Sequence, residues 1–217
     1  MNFEQARYNM IEKQIRPWEV LDQETLELFD RIHREDFIPD EYRALALSDI
    51  NIPLLHGQVT MAPKVEARLL QGLNIQKHEK VLEIGTGCGY LTALLACRGA
   101  SVLSVDIFSE FTQLAQPKLT RYGLANVHLA TGDAINGWDE AAPYDVIVVT
   151  GSVPVLSDVY HRQLNINGRL FVIEGTSPVM EARVITRIGD AEFSSESLFE
   201  TDLPPLMGAQ AGPIFKF

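Results

Sequence analysis

The sequence predicts an α/β fold, a doubly wound and mostly parallel sheet with a helical extension at its N-terminus and an antiparallel hairpin at its C-terminus. From residue 80 onward, five short runs of Val, Ile and Leu alternate with helix-length segments, as strands and helices alternate in a parallel sheet. Before residue 80, apolar residues recur at intervals of three and four, the spacing of amphipathic helices. We expect a single domain, with the extension in residues 1–78 and the sheet core in residues 79–217.

The extension is predicted to begin with two short helices, separated by a break at Pro17. Their periodic apolar residues are Tyr8, Ile11, Ile15, Val20, Leu21, Leu26, Phe29 and Ile32. Residues 65–73 continue the same period and predict a third helix. The stretch "LLHGQVTMAP" at residues 54–63 has neither a helical nor a strand pattern, so we expect a loop there.

The sheet core is predicted from alternating strands and helices. The predicted strands are residues 80–85, 101–106, 126–131, 144–150 and 168–174, and the predicted helices are residues 90–98, 110–122 and 156–164. This alternation predicts βαβ units with right-handed crossovers. Beyond residue 174, "MEARVITRIGDAEFSSESLFETDL" offers two extended runs about a Gly189-Asp190 turn signal, which predicts the terminal hairpin.

Composition argues against several classes of protein. The chain has 18 Lys and Arg residues against 29 Asp and Glu, a net charge of −11, and such a chain repels the phosphates of nucleic acids. Its apolar runs are shorter than the roughly 20 residues that cross a bilayer, and "MNFEQARYNM" lacks the core of a signal peptide. Cys88 and Cys97 have no neighbouring His or Cys cluster, which indicates free thiols and no metal site. We expect a cytoplasmic protein without nucleic-acid or membrane partners.

The most specific motif is "VLEIGTGCGY", where a predicted strand runs into a glycine-rich turn before a helix. Gly85, Gly87 and Gly89 let the backbone turn sharply and approach a ligand at the N-terminus of the helix. The spacing is G-x-G-x-G, whereas a nicotinamide-binding fingerprint has G-x-G-x-x-G. With Glu83 two residues before the first glycine, this spacing favours S-adenosylmethionine over a dinucleotide. The alternative is a glycine turn without a ligand.

Acidic residues fall at the ends of three successive predicted strands. Asp106 follows Gly85 by 21 residues, close to the roughly 20-residue spacing at which a carboxylate meets the ribose hydroxyls of a nucleotide. Asp133, in "TGDA", follows the third strand and is placed to accept a hydrogen bond from an adenine amino group. Glu83 is predicted to receive the amino group of the methionine moiety, with a satisfied structural carboxylate as its alternative.

The order of several segments resembles one family, the protein-L-isoaspartate O-methyltransferases, over roughly residues 8–206. The segments are "MIEKQIRP", "DFIPDEYRALALSDINIPL", "HGQVTMAP", "VLEIGTGCGY", "GDAINGWDEAAPYDVIVVTGSVP", "LNINGRLFVIEG" and "LPPL". The resemblance implies a Rossmann-like class I methyltransferase that uses S-adenosylmethionine, without a metal, to methylate the carboxylate of L-isoaspartyl residues in damaged proteins or peptides. It implies cofactor contacts at Gly85, Gly87, Asp106 and Asp133, and a loop before the glycine motif that closes over cofactor and substrate.

The chain departs from the family in that loop. Bacterial members commonly read G-Q-T-I-S-Q-P, whereas this chain has Val59 where they have Thr and Met61 where they have Ser. Two hydroxyls are therefore absent, and Thr60 supplies one between them. The family's aromatic-Val-Pro-Leu segment, which is expected to shape the peptide groove, is also changed, to "DLPPLMG".

The predicted site follows from these motifs. The predicted cofactor-binding residues are Glu83, Gly85, Thr86, Gly87, Gly89, Asp106, Ile107, Asp133 and Ala134, and the predicted substrate loop contains Gly57, Gln58, Val59 and Met61. Thr60 is predicted to orient the acceptor, and His56 is predicted to act as a base if the acceptor is neutral; the alternative for His56 is a partly exposed loop residue. A carboxylate acceptor is already ionised at neutral pH, so it needs no base.

Three other functions remain open from the sequence. Val59 and Met61 raise the possibility of a different, small-molecule or protein acceptor, with the same cofactor. A non-catalytic binding module would keep the fold, and a tRNA methyltransferase is disfavoured by the net charge of −11. We expect a monomer or weak homodimer.

Overall fold

The computed structural model describes residues 2–209 and confirms the predicted α/β class. Seven strands form one sheet in the order β3-β2-β1-β4-β5-β6-β7. The strands are β1 (Lys80–Ile84), β2 (Ser101–Asp106), β3 (Val127–Thr131), β4 (Tyr144–Val153), β5 (Leu164–Thr176), β6 (Val179–Arg187) and β7 (Phe193–Thr201). Neighbours among β1 to β5 are parallel, while β6 and β7 are antiparallel to the strands beside them. The order reverses between β1 and β4, so a crevice opens at their carboxyl ends.

Six α-helices and several tighter turns accompany the described sheet. The helices are α1 (Phe3–Met10), α2 (Gln23–Arg31), α3 (Pro63–Leu73), α4 (Tyr90–Arg98), α5 (Ser109–Arg121) and α6 (Asp158–Arg162). A π-helical turn (Ile11–Ile15) continues α1, and 3-10 turns cover Arg16–Trp18, Arg34–Asp36, Asp40–Leu45 and Leu55–Gly57. The predicted break at Pro17 therefore falls inside a 3-10 turn.

Several predicted boundaries differ from the structure, and the largest differences involve α6, β4 and β5. The helix predicted over residues 156–164 is shorter, because Leu164 already pairs with Tyr144 of β4 and begins β5 four residues before the predicted start. Strand β4 continues past residue 150 to Val153, where its end pairs with Ile173 and Glu174 after a shift in register. Both differences come from pairing between distant strands, which a local pattern does not contain.

The sheet is buried on both faces. Successive residues of β1 belong to different apolar clusters, with Val81 in one and Leu82 in the other, because successive side chains of a strand point to opposite faces. The first cluster joins the N-terminal helices to α3, α4 and α5, and the second contains Tyr160 of α6. The N-terminal extension therefore shares one core with the sheet, and this core holds the loop of residues 54–63 beside the crevice.

The glycine turn is fixed by packing as well as by its backbone conformation. Gly89 has φ +85°, and a Cβ atom there would lie 2.8 Å from Cβ of Ala115 in α5. Gly123, at the end of α5, has a similar φ of +69°, but a Cβ atom there would meet nothing within 4 Å. Only glycine adopts such φ values without strain, so a larger residue would be strained at either position. Only at position 89 would its Cβ atom also overpack against α5.

We predict that Gly89→Ala destabilises the protein more than Gly123→Ala does. Left-handed backbone strain costs roughly 1–2 kcal/mol in both variants, and overpacking against Ala115 adds about 1–3 kcal/mol in Gly89→Ala alone. Urea unfolding of both variants and of the wild type measures the difference. Equal losses in the two variants would show that the contact with α5 does not constrain the turn.

Candidate functional site

A cleft lies at the carboxyl ends of β1, β2 and β4, with about 950 Å³ of free space including its open mouth. Twelve of the predicted site residues line the cleft: Gln58, Val59, Thr60, Met61, Glu83, Gly85, Thr86, Gly87, Asp106, Ile107, Asp133 and Ala134. His56, Gly57 and Gly89 are not among its lining residues. Sequence motifs from separate parts of the chain thus meet in one place.

The glycine turn forms the floor of the cleft. Gly85 has φ +100°, and a Cβ atom there would lie 2.1 Å from Oγ1 of Thr150. The Thr150 hydroxyl lies 2.8 Å from the carbonyl oxygen of Ile84 and 3.0 Å from that of Gly85, to which it donates. Strand β4 therefore presses directly on the turn, and only glycine fits at position 85. Gly89, in contrast, packs against α5 and is required by the fold.

Asp106, at the end of β2, is held in place by the backbone. Its Oδ2 accepts a hydrogen bond from the Gly87 N–H at 2.9 Å, and its Oδ1 accepts one from the Phe108 N–H at 3.0 Å. Burial raises the pKa of Asp106 above its ordinary value, and these hydrogen bonds oppose the rise. The carboxylate is thus fixed beside the glycine turn before any ligand arrives, with lone pairs left for hydroxyl donors.

Asp133 follows β3 and is exposed at the rim of the cleft. Its Oδ1 accepts a hydrogen bond from the Ile135 N–H at 3.0 Å, which fixes the turn of the chain there. Ala134 beside it is buried, and Ile107 across the cleft is 42% exposed. An apolar slot with one acceptor at its edge suits a flat heterocycle that carries an amino group.

Glu83 is fully buried at the wall of the cleft. Its Oε2 accepts hydrogen bonds from the hydroxyls of Thr92 at 2.5 Å and Ser104 at 2.6 Å, whereas its Oε1 has no partner among the described residues. Burial raises the pKa of Glu83 to about 8, although both hydroxyls lower it. Oε2 thus behaves as part of a satisfied structural carboxylate, whereas Oε1 is available to a ligand.

The loop of residues 54–63 is a small hairpin. The Leu54 N–H donates to the Gln58 carbonyl oxygen at 2.7 Å, and the Thr60 N–H donates to the Ile52 carbonyl oxygen at 2.9 Å. The Thr60 hydroxyl oxygen accepts from Nη2 of Arg34 at 2.9 Å and from the Ile52 N–H at 3.0 Å. That oxygen is therefore occupied by the protein, and only the hydroxyl hydrogen remains for the predicted contact with an acceptor.

His56 and Gly57 lie at the outer turn of this hairpin, both with positive φ. The His56 ring stacks on Phe108, with 4.0 Å between ring centroids, and its Nε2 lies 3.4 Å from Oε1 of Glu110. These contacts join the hairpin to the start of α5. They give His56 a role in positioning the loop, which corresponds to the loop-residue alternative, and they place it outside the cleft lining.

Sequence reasoning missed Arg34 and Glu66. Arg34 is fully buried, and its Nη2 donates to the Met61 carbonyl oxygen at 2.7 Å as well as to Thr60. Glu66, in the first turn of α3, is 3% exposed and lines the cleft. The spacing of Glu66, Leu70 and Leu73 places this acid on the apolar stripe of α3, a signal that could have identified it. For Arg34, no local pattern distinguishes it from the exposed arginines around it.

The chain after β7 forms one wall of the cleft. The Ser152 N–H donates to the Pro204 carbonyl oxygen at 3.1 Å, and the Leu206 N–H donates to the Ser152 carbonyl oxygen at 2.9 Å. Residues 203–207 line the cleft as a result. The predicted groove segment "DLPPLMG" thus lies beside the predicted cofactor residues. Residues 210–217 of the C-terminal tail lie outside the described residues.

Residues 2–209 contain neither a membrane-spanning helix nor a metal-binding cluster. No helix in this part of the chain is both long and apolar enough to cross a membrane. Across the same residues, no three His, Cys, Asp or Glu side chains are grouped so that they could hold a metal ion.

Comparisons with known proteins agree on one family. The family model described as protein-L-isoaspartate(D-aspartate) O-methyltransferase matches residues 5–211. The protein-L-isoaspartate O-methyltransferase 2 of Marinobacter nauticus is 34% identical over 208 residues, which is 95% of each chain.

Two solved structures are similar in fold. A protein-L-isoaspartate O-methyltransferase superposes with a TM-score of 0.81 at 25% identity, over 94% of this chain and 67% of that one. A Plasmodium falciparum protein in complex with S-adenosyl-L-homocysteine superposes with a TM-score of 0.78 at 18% identity, over 95% of this chain and 98% of that one.

The raised pKa values of the two buried acids predict how stability depends on pH. Burial raises the pKa of Glu66 to about 7 from 4.5, although Arg34 lowers it, and it raises that of Glu83 to about 8. Below the ordinary value both groups are protonated in the folded and the unfolded chain. As pH rises, the unfolded chain ionises first, so each group lowers the stability of the fold increasingly up to its folded pKa, and the loss stays constant above that pH.

We predict that Glu66→Gln loses less stability than the wild type between pH 4.5 and pH 8. Each pH unit over which the folded and unfolded states differ is worth about 1.4 kcal/mol, so Glu66 accounts for about 3 kcal/mol over this range. Urea unfolding of ligand-free protein at several pH values measures the difference between wild type and variant. Parallel curves would mean that Glu66 ionises as readily in the folded chain as in the unfolded one.

Proposed function

The chain belongs to the protein-L-isoaspartate(D-aspartate) O-methyltransferase family, and we propose that it methylates the free carboxylate of L-isoaspartyl residues in damaged proteins or peptides. It is a transferase of protein repair that uses S-adenosylmethionine as methyl donor and leaves S-adenosylhomocysteine. The observation that carries the proposal is the family match over residues 5–211, which includes both the glycine turn and the substrate loop.

The reaction needs little acid or base chemistry from the protein. Bound S-adenosylmethionine supplies an electrophilic methyl group on a sulfonium. An acceptor carboxylate with an ordinary pKa near ~4 is ionised at neutral pH and attacks without a general base. The side chains lining the cleft therefore have to bind, align and exclude water. The position of His56 outside the lining agrees with this chemistry.

The residues of the cleft fit the cofactor, and we assign them as follows. The turn at Gly85 and Gly87 is proposed to let the cofactor approach the backbone, and Asp106 to accept hydrogen bonds from the ribose hydroxyls. Asp133 is proposed to meet the adenine amino group beside Ile107 and Ala134. Thr86 lines the cleft, and its hydroxyl lies 2.7 Å from that of Ser104. Glu83 would use its free Oε1 for the amino group of the methionine moiety.

The acceptor would be oriented by the substrate loop. The N–H groups of Gln58 and Thr60 bond within the hairpin, to Leu55 and Ile52. The backbone N–H groups of Val59 and Met61, with the hydroxyl hydrogen of Thr60, are therefore the donors that we propose for the acceptor carboxylate. Preformed donors at a charged group contribute more than exposed ones because the protein need not reorganise.

A second candidate keeps the cofactor and changes the acceptor. The loop wall is apolar at Val59 and Met61, and Leu54, Leu203 and Leu206 extend this apolar surface along the cleft. A wall of this kind favours a less polar acceptor, such as a small molecule. The two candidate functions predict different effects on isoaspartyl activity when the family's hydroxyl residues are restored at positions 59 and 61.

We further propose that the protein works in the cytoplasm as a monomer or weak homodimer, without nucleic-acid or membrane partners. The net charge of −11 supports the absence of nucleic-acid and membrane partners, because an acidic surface repels phosphate groups. The division into an extension of residues 1–78, which includes the substrate loop, and a cofactor-binding core of residues 79–217 is likewise a proposal.

We predict methyl-ester formation on an isoaspartyl peptide. Incubation of the protein with S-adenosylmethionine and the peptide should give the ester and an equal amount of S-adenosylhomocysteine, both measurable by mass spectrometry. The same peptide with a normal aspartyl linkage is the matched control and should give no ester. Equal product from both peptides, or none from either, would refute the proposed acceptor.

We predict that the double variant Val59→Thr with Met61→Ser has a lower KM for the isoaspartyl peptide. Each restored hydrogen bond is worth about 1–1.5 kcal/mol, so a five- to tenfold gain per hydroxyl is expected, mostly in KM. The single Val59→Ile variant, which adds bulk without a hydroxyl, is the control. An unchanged or weaker isoaspartyl activity in the double variant would favour the small-molecule acceptor.

A further inference from the structure

Glu66 is an acid in the cleft that the glycine turn and the strand ends do not explain. Glu66 lies in the first turn of α3, 17 residues before Glu83 in the sequence. It nevertheless lines the same cleft as Glu83. Its side chain is 3% exposed, and its Oε2 has no hydrogen-bond partner among the described residues. An unpartnered buried carboxyl oxygen is costly, so its presence at a binding cleft points to a ligand.

Arg34 does not satisfy this carboxyl group. Its Nε lies 3.5 Å from Oε2 of Glu66, but without hydrogen-bond geometry. The two terminal nitrogens of Arg34 are directed elsewhere, to the Ala46 carbonyl oxygen at 2.6 Å and to the loop residues Thr60 and Met61. Arg34 thus holds the loop from behind and forms an ion pair with Glu66, but it leaves Oε2 of Glu66 without a hydrogen bond.

The side chains that line the cleft around Glu66 favour a cationic ligand. Among the described residues that line the cleft, four have carboxyl groups, namely Glu66, Glu83, Asp106 and Asp133, and none is Lys, Arg or His. Glu66 lies near enough to Glu83 for its charge to raise the pKa of that group. Tyr90 also lines the cleft, and its buried hydroxyl has no partner in the part of the chain described.

We propose that Glu66, together with Glu83, binds the ammonium group of the methionine end of S-adenosylmethionine. The proposal rests on the cofactor of the proposed function. Of the two cationic groups of this cofactor, only the ammonium has N–H donors, and its three hydrogens match two carboxyl oxygens and the Tyr90 hydroxyl. The sulfonium has no hydrogen to donate, and its methyl group has to face the acceptor. Glu66 is thereby a cofactor ligand that is supplied by the helical extension.

Ammonium binding requires Glu66 to ionise, so it should release a proton. The charged and titratable groups that face Glu66 from the packed elements are Arg34, Glu83, Cys88 and Tyr90. Burial holds the pKa of Glu66 near 7, which leaves the free protein partly protonated there at neutral pH. A buried cation beside the carboxylate lowers that pKa and displaces the proton.

The test uses calorimetry with two probes, S-adenosylhomocysteine and its deaminated analogue, in which hydrogen replaces the amino group. Neither binding measurement needs a methyl acceptor, so the result is independent of the substrate. The proteins compared are the wild type, Glu66→Gln and Glu79→Gln. Glu79 is 7% exposed and pairs with Arg169 outside the cleft lining, so Glu79→Gln controls for the loss of a buried acid as such.

The expected result is selective. Glu66→Gln should weaken S-adenosylhomocysteine binding at least tenfold and leave the deaminated analogue within about twofold of the wild type. Glu79→Gln should leave both affinities unchanged. Titrations in buffers of different ionisation enthalpy should show proton release at pH 7 for the wild type and less for Glu66→Gln.

Four results would overturn the inference. Equal weakening of both probes by Glu66→Gln would assign Glu66 a structural role. Proton uptake on binding would mean that a protonated Glu66 donates to the cofactor carboxylate instead. Failure of S-adenosylhomocysteine to bind the wild type would reject the cofactor and the proposed function with it, whereas tight binding that ignores Glu66 would reject this inference alone.

Discussion

Burial of the Arg34 guanidinium is the constraint on which the substrate side of the cleft depends. A charged group without access to water must find protein partners for its N–H donors, since an unpaired buried charge is strongly destabilising. Arg34 takes these partners from the carbonyl oxygen of Ala46 and from two residues of the loop hairpin, Thr60 and Met61. These hydrogen bonds, together with the core of the helical extension, set the position of the loop relative to the glycine turn.

The cleft also contains an energetic conflict between two buried acids. Glu66 and Glu83 are buried, each with one unpartnered carboxyl oxygen, and neither lies beside a cation that satisfies it fully. Such groups lower the stability of the free protein at neutral pH. A cationic ligand that pairs with them would recover part of that free energy as binding free energy. This arrangement is common at functional sites, where stability is sacrificed to prepare a binding surface in advance.

The catalytic requirement is modest by comparison. Transfer of a methyl group to an ionised carboxylate brings opposite charges together, and it depends on alignment and on exclusion of water. The cleft meets these needs with backbone and apolar contacts, from the turn at Gly85 and Gly87 to the wall of residues 203–207. His56 is engaged in stacking on Phe108, so the hairpin gains rigidity from the one histidine that the sequence offered as a base.

The sequence by itself determined the fold class, the five parallel strands, the terminal hairpin and the family, because these depend on local periodicity and on motifs of adjacent residues. It also identified most of the residues that line the cleft, since parallel strands end at one edge of a sheet and Glu83, Asp106 and Asp133 follow strand ends.

Only the tertiary structure decided which groups remain free to act. It showed that the oxygen of Thr60 is bonded to Arg34, that Gly89 serves packing, and that Glu66 reaches the cleft from α3. The physical reason is that hydrogen bonding and burial of a side chain depend on partners distant in sequence, such as Arg34 and Thr60, which are 26 residues apart.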